Sequence, residues 1–327
     1  MPTIHDVAAR AGVSTATVSR ALNGKSNVDP ALVTRVVTAA KALGYRPHGV
    51  ARNLRRKATT VWALIISDIE NPFFTAVARG VEDAAQAVGH SVVLCNSDED
   101  LIKEARYLRV ALADRVAGVV LSPTAPATDV APLAEHGIPV VAIDRPLPGI
   151  DAVLVGSRTG AQAATAHLLE AGYHRVACLT GPRRVSTAED RVAGYCDALR
   201  AVGRPVTRRL VRHADFKVDG GRRAAESLLA GARRPDGLFV ANSLMAIGAL
   251  QAMAAHGLRA GRDVGLVAFD DAPWTQLVEP AISVVAQPAY AVGQAAGQLL
   301  ADRGTHPRRV ILDAELIIRG SSRRPRV

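Results

Sequence analysis

The sequence has few cysteines and no long apolar run, and each shortage excludes a class of protein. Its 3 cysteines among 327 residues are odd in number and stand in apolar or helical stretches. This excludes a disulfide scaffold and indicates a reducing compartment. No apolar run approaches the roughly 18–20 residues that cross a bilayer. Residues 1–6 also lack the basic and apolar stretches of a signal peptide, so we expect a cytoplasmic protein with no membrane partner.

Motifs of catalysis and of metal binding are missing as well. We find no glycine-rich phosphate loop, no nucleophile elbow and no paired-histidine zinc motif. The 9 histidines and 3 cysteines make no metal-ligand spacing. The carboxylate pair Asp270-Asp271 lies at a predicted strand end, where adjacent side chains point apart. The sequence therefore predicts a protein that is not an enzyme and that holds no cofactor and no metal.

Positive charge is concentrated near the start of the chain. The net charge is +10, and residues 1–60 contain ten Lys or Arg against two Asp, so this segment carries 10 − 2 = +8. The other 267 residues are nearly neutral, at +2. A small basic module beside a neutral body is typical of contact with a polyanion, most often nucleic acid. On charge alone, a solvated basic face remains the alternative.

Start and stop signals divide the basic segment into three short helices. In chain order these signals are Thr3, Gly12, Ser14, Gly24, Asp29 with Pro30, and Gly44. A tight turn joins the first two helices, which is the arrangement of a helix-turn-helix motif. The outer side of the second helix carries short polar residues and an arginine, which suit the base edges of a DNA major groove. The residues on that outer side are Thr15, Ala16, Thr17, Ser19, Arg20 and Asn23.

After Thr60 the pattern changes to short β-branched runs that alternate with helical stretches. Apolar runs without strict polar alternation indicate parallel strands covered on both faces. The predicted strands are too many for a single sheet, so we expect two sheets, each in its own lobe. The predicted fold is thus a small all-α helix-turn-helix head followed by an α/β body of two doubly wound parallel-sheet lobes.

The head resembles the DNA-binding domain of the LacI/GalR family of bacterial repressors. Asp-Val-Ala at 6–8, Gly-Val-Ser at 12–14 and Thr-Val-Ser-Arg-Ala-Leu-Asn at 17–23 stand in register with that family. The resemblance implies that Thr15, Ala16 and Arg20 read bases, with a phosphate contact as the alternative for Arg20. For Thr17 and Ser19 it implies phosphate contacts.

Residues 45–56 resemble the hinge helix of the same family. Two such helices, one from each subunit, lie in the minor groove, where a leucine wedges between base steps and bends the duplex. Leu54 stands at the wedge position, and Arg55 stands beside it as a phosphate clamp or as solvated charge. His48-Gly49 departs from the Asn or Ser that is common ahead of this hinge. The departure indicates either a weaker hinge helix or simply an exposed loop residue at His48.

Residues 61–320 resemble the periplasmic sugar-binding fold, and polar and aromatic residues at the predicted strand ends suit a polyol. Planar polar side chains can hydrogen-bond several hydroxyls, and phenylalanine rings can cover the apolar faces of a sugar. The set resembles the site of ribose-binding proteins and ribose repressors. Its members are Phe73, Phe74, Asp144, Arg145, Arg191, Phe216, Asn242, Asp270 and Gln287. A structural salt bridge for Asp144-Arg145, and a core role for Phe73-Phe74, remain alternatives.

Together the resemblances imply a repressor that binds a near-palindromic operator as a homodimer and responds to a small sugar, with a pentose such as ribose favoured. The alternatives are a cytosolic sugar-binding module without DNA function, or the same repressor with a hexose, disaccharide or nucleobase effector. The expected domains are the head at 1–46, the hinge helix and linker at 47–60, and the body at 61–327. Within the body we expect one lobe at 61–160 with 291–320, and the other at 161–290.

Overall fold

In the computed structural model, the described residues are 2–22, 28–45, 59–231, 233–302 and 304–324. The chain forms two units, residues 1–59 and residues 60–327. The first unit contains helices α1 (Ile4–Ala11), α2 (Thr15–Leu22) and α3 (Pro30–Ala42). The predicted all-α head is confirmed.

Local contacts fix both ends of α1 and the turn that follows it. The Thr3 hydroxyl accepts a hydrogen bond from the backbone N–H of Asp6, and the Asp6 carboxylate accepts one from the Thr3 N–H at 2.7 Å, which completes a capping box. Gly12 ends α1 at a φ of 62°, in the left-handed region that favours glycine. From α3, the Arg35 guanidinium donates to the carbonyl of Ala11. One fully buried valine from each helix closes the small core: Val7, Val18 and Val36.

The second unit contains two six-stranded sheets. The first sheet is built from β1 (Val61–Ile66), β2 (Ser91–Asn96), β3 (Gly118–Leu121), β4 (Val140–Ile143), β5 (Asp151–Val155) and β11 (Arg309–Leu312). These strands are all parallel, in the order β11, β5, β4, β3, β1, β2. Its helices are α4 (Pro72–Ala87), α5 (Leu101–Ala113), α6 (Ala131–Glu135) and α11 (Ala289–Ala301). Helices α4 and α11 cover one face, and α5 and α6 cover the other.

The second sheet repeats this plan. Its strands are β6 (Val176–Thr180), β7 (Val211–His213), β8 (Gly237–Val240), β9 (Gly265–Phe269), β10 (Ser283–Ala286) and β12 (Glu315–Ile317). They stand in the order β12, β10, β9, β8, β6, β7. Its helices are α7 (Ser157–Glu170), α8 (Ser186–Ala201), α9 (Val218–Leu229) and α10 (Ser243–Ala255). We call the part around the first sheet the first lobe and the part around the second sheet the second lobe.

Both sheets are covered on two faces, as the unbroken apolar strands predict. Every residue of β3, β4, β8 and β9 is buried. The predicted α/β body of two doubly wound lobes is therefore confirmed. Within the described ranges, no helix is both long enough and apolar enough to span a membrane.

The last strands differ from the sequence-based expectation. Residues 310–319 were expected to return to the first lobe, and β11 does so by pairing in parallel with β5. The expectation is wrong for β12, which crosses to the second lobe and pairs antiparallel with β10. The physical reason is that the outer edge of β10 would otherwise present unpaired backbone groups, and β12 pairs with them.

Glycines let paired helices approach backbone to backbone. A Cβ on Gly293 of α11 would lie 2.1 Å from the carbonyl oxygen of Val77 in α4. A Cβ on Gly248 of α10 would lie 2.1 Å from the carbonyl oxygen of Val218 in α9. These distances are far inside van der Waals contact, so each helix pair depends on a residue without a side chain.

Replacing Gly293 by alanine should therefore destabilise the body. We expect Gly293→Ala to lower the free energy of unfolding by about 1–3 kcal/mol, because α4 and α11 must move apart to admit the methyl group. Gly231→Ala is the matched control, because a Cβ there meets nothing within 4 Å. Urea unfolding of the two variants measures the difference, and equal midpoints would contradict the close-approach argument.

Candidate functional site

The outer side of α2 presents the residues that the sequence assigns to DNA. Ala16 and Arg20 are exposed, and Thr15, Thr17 and Ser19 are partly exposed, around the fully buried Val18. The start of the helix is fixed by Ser14, whose Oγ accepts from the Thr17 N–H at 3.1 Å and lies 2.9 Å from the Thr17 Oγ1. The other predicted DNA contacts, Asn23, Leu54 and Arg55, lie outside the described residues.

All nine residues predicted for the effector line one cleft between the two lobes. The cleft has an empty volume of about 460 Å³, including the part open to solvent. The first lobe contributes Phe73, Phe74, Asp144 and Arg145. The second lobe contributes Arg191, Phe216, Asn242 and Asp270, and Gln287 follows β10. Asp144 and Asp270 come directly after β4 and β9, at the carboxyl edges where open α/β sheets bind ligands.

Arg145 is buried and its main partner is a residue that the sequence reading missed. Its guanidinium donates to both carboxylate oxygens of Glu99, at 2.7 and 2.5 Å, and to the Pro123 carbonyl at 3.1 Å. The Asp144 carboxylate lies 3.4 Å from the Arg145 Nε, so the salt bridge considered as an alternative is present but is the longer contact. Burial raises the pKa of Asp144, and the nearby guanidinium of Arg145 only partly opposes this.

Arg191 and Asp270 form the polar centre of the second lobe. The Arg191 guanidinium lies 4.0 Å from the ring centroid of Phe269 and donates to the Ala241 carbonyl at 2.6 Å. The Gln287 side-chain amide donates to the Asp270 carboxylate at 2.6 Å. Burial raises the pKa of Asp270 despite the opposing charge of Arg191. Both charges are therefore held by neighbours rather than by water.

The side-chain amide of Asn242 makes two hydrogen bonds to the backbone, one within its own helix and one to a neighbouring loop. Its Oδ1 accepts from the Met245 N–H at 2.9 Å, which caps α10, and its Nδ2 donates to the Phe216 carbonyl at 2.8 Å. Phe216 has a φ of 63°, and its ring covers Gly181, where a Cβ would lie 2.0 Å from the Phe216 Cζ. Asn242 thus positions the aromatic ring over the cleft.

Left-handed backbone conformations gather around the cleft. In the described ranges seven non-glycine residues have positive φ: Asp98, Glu99, Arg115, Asp144, Arg184, Phe216 and Asp270. Glu99, Asp144, Phe216 and Asp270 all line the cleft. Such conformations cost about 1–3 kcal/mol each and persist where surrounding contacts hold them. Four of the seven left-handed residues therefore lie at this cleft.

Three buried polar atoms of the cleft residues have no hydrogen-bond partner among the described residues: Arg145 Nε, Arg191 Nε and Gln287 Oε1. Leaving a buried polar atom unpaired costs about 1–3 kcal/mol. Of these atoms, Arg145 Nε has only its 3.4 Å ion-pair contact with Asp144. A hydroxyl group can both donate and accept, so it can partner either kind of atom.

Six further lining residues were not predicted. They are Asp68, Asn71, Glu99, Thr187, Asp215 and Lys217. Asp68 and Asp215 lie shortly after β1 and β7, and Asn71 caps α4, so their positions near strand ends were a usable signal. Glu99 and Lys217 had none, because each depends on a partner distant in sequence. The described residues contain no group of three or more side chains able to hold a metal ion.

Two protein-family models match the chain. The model of periplasmic binding proteins and the sugar-binding domain of the LacI family matches residues 59–320, and that of bacterial regulatory proteins of the lacI family matches residues 3–48. The chain belongs to the LacI family. The resemblance drawn from the motifs of the head is confirmed, and this LacI-family member is a DNA-binding transcriptional repressor with a sugar-binding type of body.

Full-length relatives agree with this assignment. The ribose operon repressor of Halalkalibacterium halodurans is 39% identical over 304 residues, which are 92% of this chain and 89% of the relative. The transcriptional repressor CytR of Escherichia coli is 32% identical over 330 residues, 98% of this chain and 96% of the relative. A solved lac repressor dimer, bound to operator and the anti-inducer ONPF, matches with a TM-score of 0.85 and 26% identity over 98% of this chain and 99% of that chain. These relatives are transcriptional repressors.

The pKa of Asp270 predicts how stability depends on pH. Because its pKa is raised in the folded state, its carboxylate contributes more stability as the pH falls through that pKa. The free energy of unfolding of the wild type, minus that of Asp270→Asn, should therefore increase as the pH falls from neutral toward the ordinary pKa of an aspartate. Urea unfolding of both proteins across this range measures the difference.

Asp271→Asn is the matched control for this measurement. Burial opposes ionisation of Asp271, but the Arg319 guanidinium binds both its oxygens, at 2.8 and 2.7 Å, and the pKa is lowered. The free energy of unfolding of the wild type, minus that of Asp271→Asn, should stay constant near neutral pH. It should decrease only at more acidic pH, where Asp271 becomes protonated. A decrease for Asp270 on acidification would show that its carboxylate is not destabilised by burial.

Proposed function

We propose that this LacI-family repressor binds a near-palindromic operator as a homodimer, and that a small neutral sugar, with a pentose such as ribose favoured, controls its affinity for DNA. The observation that carries the proposal is the convergence of nine predicted residues on one cleft, where arginine and glutamine side chains with buried atoms that lack hydrogen bonds stand with phenylalanine rings. A polyol can satisfy such atoms with its hydroxyls while its C–H faces contact the rings.

The proposed DNA contacts follow from the exposed side of α2. Arg20 is long enough to reach a guanine edge, and Ala16 can select only by fit, for example against a thymine methyl group. Thr17 and Ser19 are proposed to contact phosphates. The Thr17 hydroxyl lies beside Ser14, so its phosphate contact would add to its role at the helix start. From the sequence resemblance, Leu54 is proposed to wedge in the minor groove, and Arg55 is proposed as a phosphate clamp, with solvated charge as the alternative.

The body offers apolar surface for the proposed homodimer. Strand β2 is an edge strand of the first sheet, yet Val93 is 52% exposed and Leu94 is 39% exposed. The nearby start of α5 adds Ile102, which is 79% exposed. Large apolar side chains grouped on an edge are typical of a surface covered by a partner. The lac repressor relative is itself a dimer bound to operator.

The effector and the operator are proposed to be coupled through the lobes. A ligand that contacts both walls of the cleft favours their closure, because it binds the closed arrangement better than the open one. Closure then changes the spacing of paired subunits, and thus their fit to DNA. By linkage, ligand and operator change each other's affinity by the same factor.

A pentose is favoured over the other effectors because the nine residues that resemble a ribose site all line the cleft, and a ribose operon repressor is among the relatives. The relationship to CytR keeps another effector class open as the second candidate. A further part of the proposal is that the protein is not an enzyme, because its cleft holds charges paired with each other and no activated nucleophile. We also propose that it acts in the cytoplasm.

Arg20→Ala tests base reading. We expect it to weaken binding to the operator, located by footprinting upstream of the protein's own gene, about tenfold to hundredfold, since a bidentate base contact contributes about 1–3 kcal/mol of discrimination. Binding to unrelated DNA should change little. Lys41→Ala, on exposed surface of α3, is the control and should lower the log–log salt slope by at most about 0.9. Fluorescence anisotropy of both variants decides, and an equal loss on both DNAs for Arg20→Ala would refute base reading.

Calorimetry with D-ribose tests the effector. We expect ribose to bind the wild type and Asp271→Asn alike, and to bind Asp270→Asn at least about tenfold more weakly, because a charged hydrogen-bond acceptor in the cleft is lost. A panel with a hexose, a disaccharide and a nucleobase provides the comparison. Tight binding of one of these, with none of ribose, would leave the repressor assignment intact and overturn the pentose.

A further inference from the structure

Lys217 of the second lobe makes ionic contacts with the first lobe. It stands directly before α9, and its Nζ lies 2.9 Å from the Asp68 Oδ2 and 3.0 Å from the Asp98 Oδ1. Asp68 follows β1 and Asp98 follows β2, so both carboxylates belong to the first lobe. One ammonium group thus bridges two carboxylates across the cleft.

The second lobe holds Lys217 in place through its backbone. The Lys217 N–H donates to the Asp215 carboxylate at 3.0 Å. The preceding residue, Phe216, is fixed by its left-handed φ of 63° and by the Asn242 amide, which donates to its carbonyl at 2.8 Å. The lysine therefore extends from a rigid loop, which reduces the conformational entropy lost when the bridge forms.

The first lobe prepares the receiving carboxylates. Asp68 uses its Oδ1 to accept from the Glu70 N–H at 3.0 Å, which leaves Oδ2 for the lysine. Asp98 and Glu99 are consecutive residues in the left-handed region, with φ of 58° and 57°. This backbone directs Asp98 to Lys217 and Glu99 to Arg145, so one strained segment connects the bridge to the cleft's buried guanidinium.

The ionisation of these groups agrees with the geometry. The hydrogen bond from Lys217 lowers the pKa of Asp98. Burial lowers the pKa of Lys217, but the bonds to Asp68 and Asp98 outweigh burial and leave the pKa raised. Lys217 and Asp98 are therefore both charged at neutral pH, as a bridge requires.

We propose that Lys217, Asp68 and Asp98 form an ionic latch that stabilises the closed arrangement of the two lobes whether or not a ligand is bound. The latch sets the fraction of closed molecules before any effector arrives. Because a ligand shifts an equilibrium only by its differential affinity for the two states, the latch also sets how much closure remains for the ligand to drive. This proposal does not depend on which ligand the cleft binds.

The full-length protein can report closure directly through a pair of spin labels. Ala127 follows β3 and Arg183 follows β6, and both are exposed on opposite lobes. Cysteines at these two positions, with Cys95 and Cys196 changed to alanine, accept the labels, and Cys178 is buried. Dilution into excess unlabelled chain leaves one labelled copy per dimer. Pulsed electron resonance then gives the distance distribution without ligand.

Lys217→Met should shift this distribution to longer distances, with the ratio of closed to open molecules reduced about fivefold, as expected for a partly exposed bridge. Lys217→Arg should retain the short distance. Lys103→Met is the matched control, since Lys103 lies 3.8 Å from the same Asp98 but within the first lobe. Asp68→Asn provides a second, independent way to open the latch if Lys217→Met folds poorly by circular dichroism.

An unchanged distribution in Lys217→Met and in Asp68→Asn would overturn the latch. An equal shift in Lys103→Met would overturn it too, because the effect would then follow from charge alone. If the distribution is unchanged while ribose binding weakens, Lys217 is a ligand contact and not a latch. Failure of ribose to bind would not affect this measurement, so the latch and the proposed effector are tested separately.

Discussion

Two buried guanidinium groups determine how the cleft is built. A charge removed from water is tolerated only when opposite charges and hydrogen-bond acceptors surround it. Arg145 meets this condition through Glu99 and the Pro123 carbonyl. Arg191 meets it through the Ala241 carbonyl and the ring of Phe269, with the charge of Asp270 nearby. The loops after β2, β4, β8 and β9 must therefore take the conformations that bring these partners together.

The same requirement explains where backbone strain is found. Asp144, Phe216 and Asp270 adopt left-handed conformations that most residues avoid. Each is followed or faced by a contact that fixes it, such as the Asn242 amide on the Phe216 carbonyl. The rigid helix pairs behind the sheets, joined through glycines such as Gly248 and Gly293, supply the stable framework that carries these loops.

The sequence predicted the helices of the head and the two lobes with parallel strands, because these depend on periodicity and on start and stop signals. The nine cleft residues were implied by the resemblance to ribose-binding proteins and ribose repressors. It did not predict the partner of Arg145, since Glu99 lies 46 positions away and its orientation depends on a local φ of 57°. Strand β7 was missed because Val211–His213 is short and only partly buried. Strand β12 was assigned to the first lobe because hydrophobic pattern alone does not say which sheet edge a final strand will cover.

Near its end, the chain supplies an outer strand to each of the two sheets in succession. Strand β11 borders the first sheet and β12 borders the second, with only residues 313–314 between them. Loss of the chain from Arg309 onward would therefore remove the outer strand β11 of the first sheet and the outer strand β12 of the second sheet together. Neither lobe can be excised as a continuous stretch of sequence with its sheet intact.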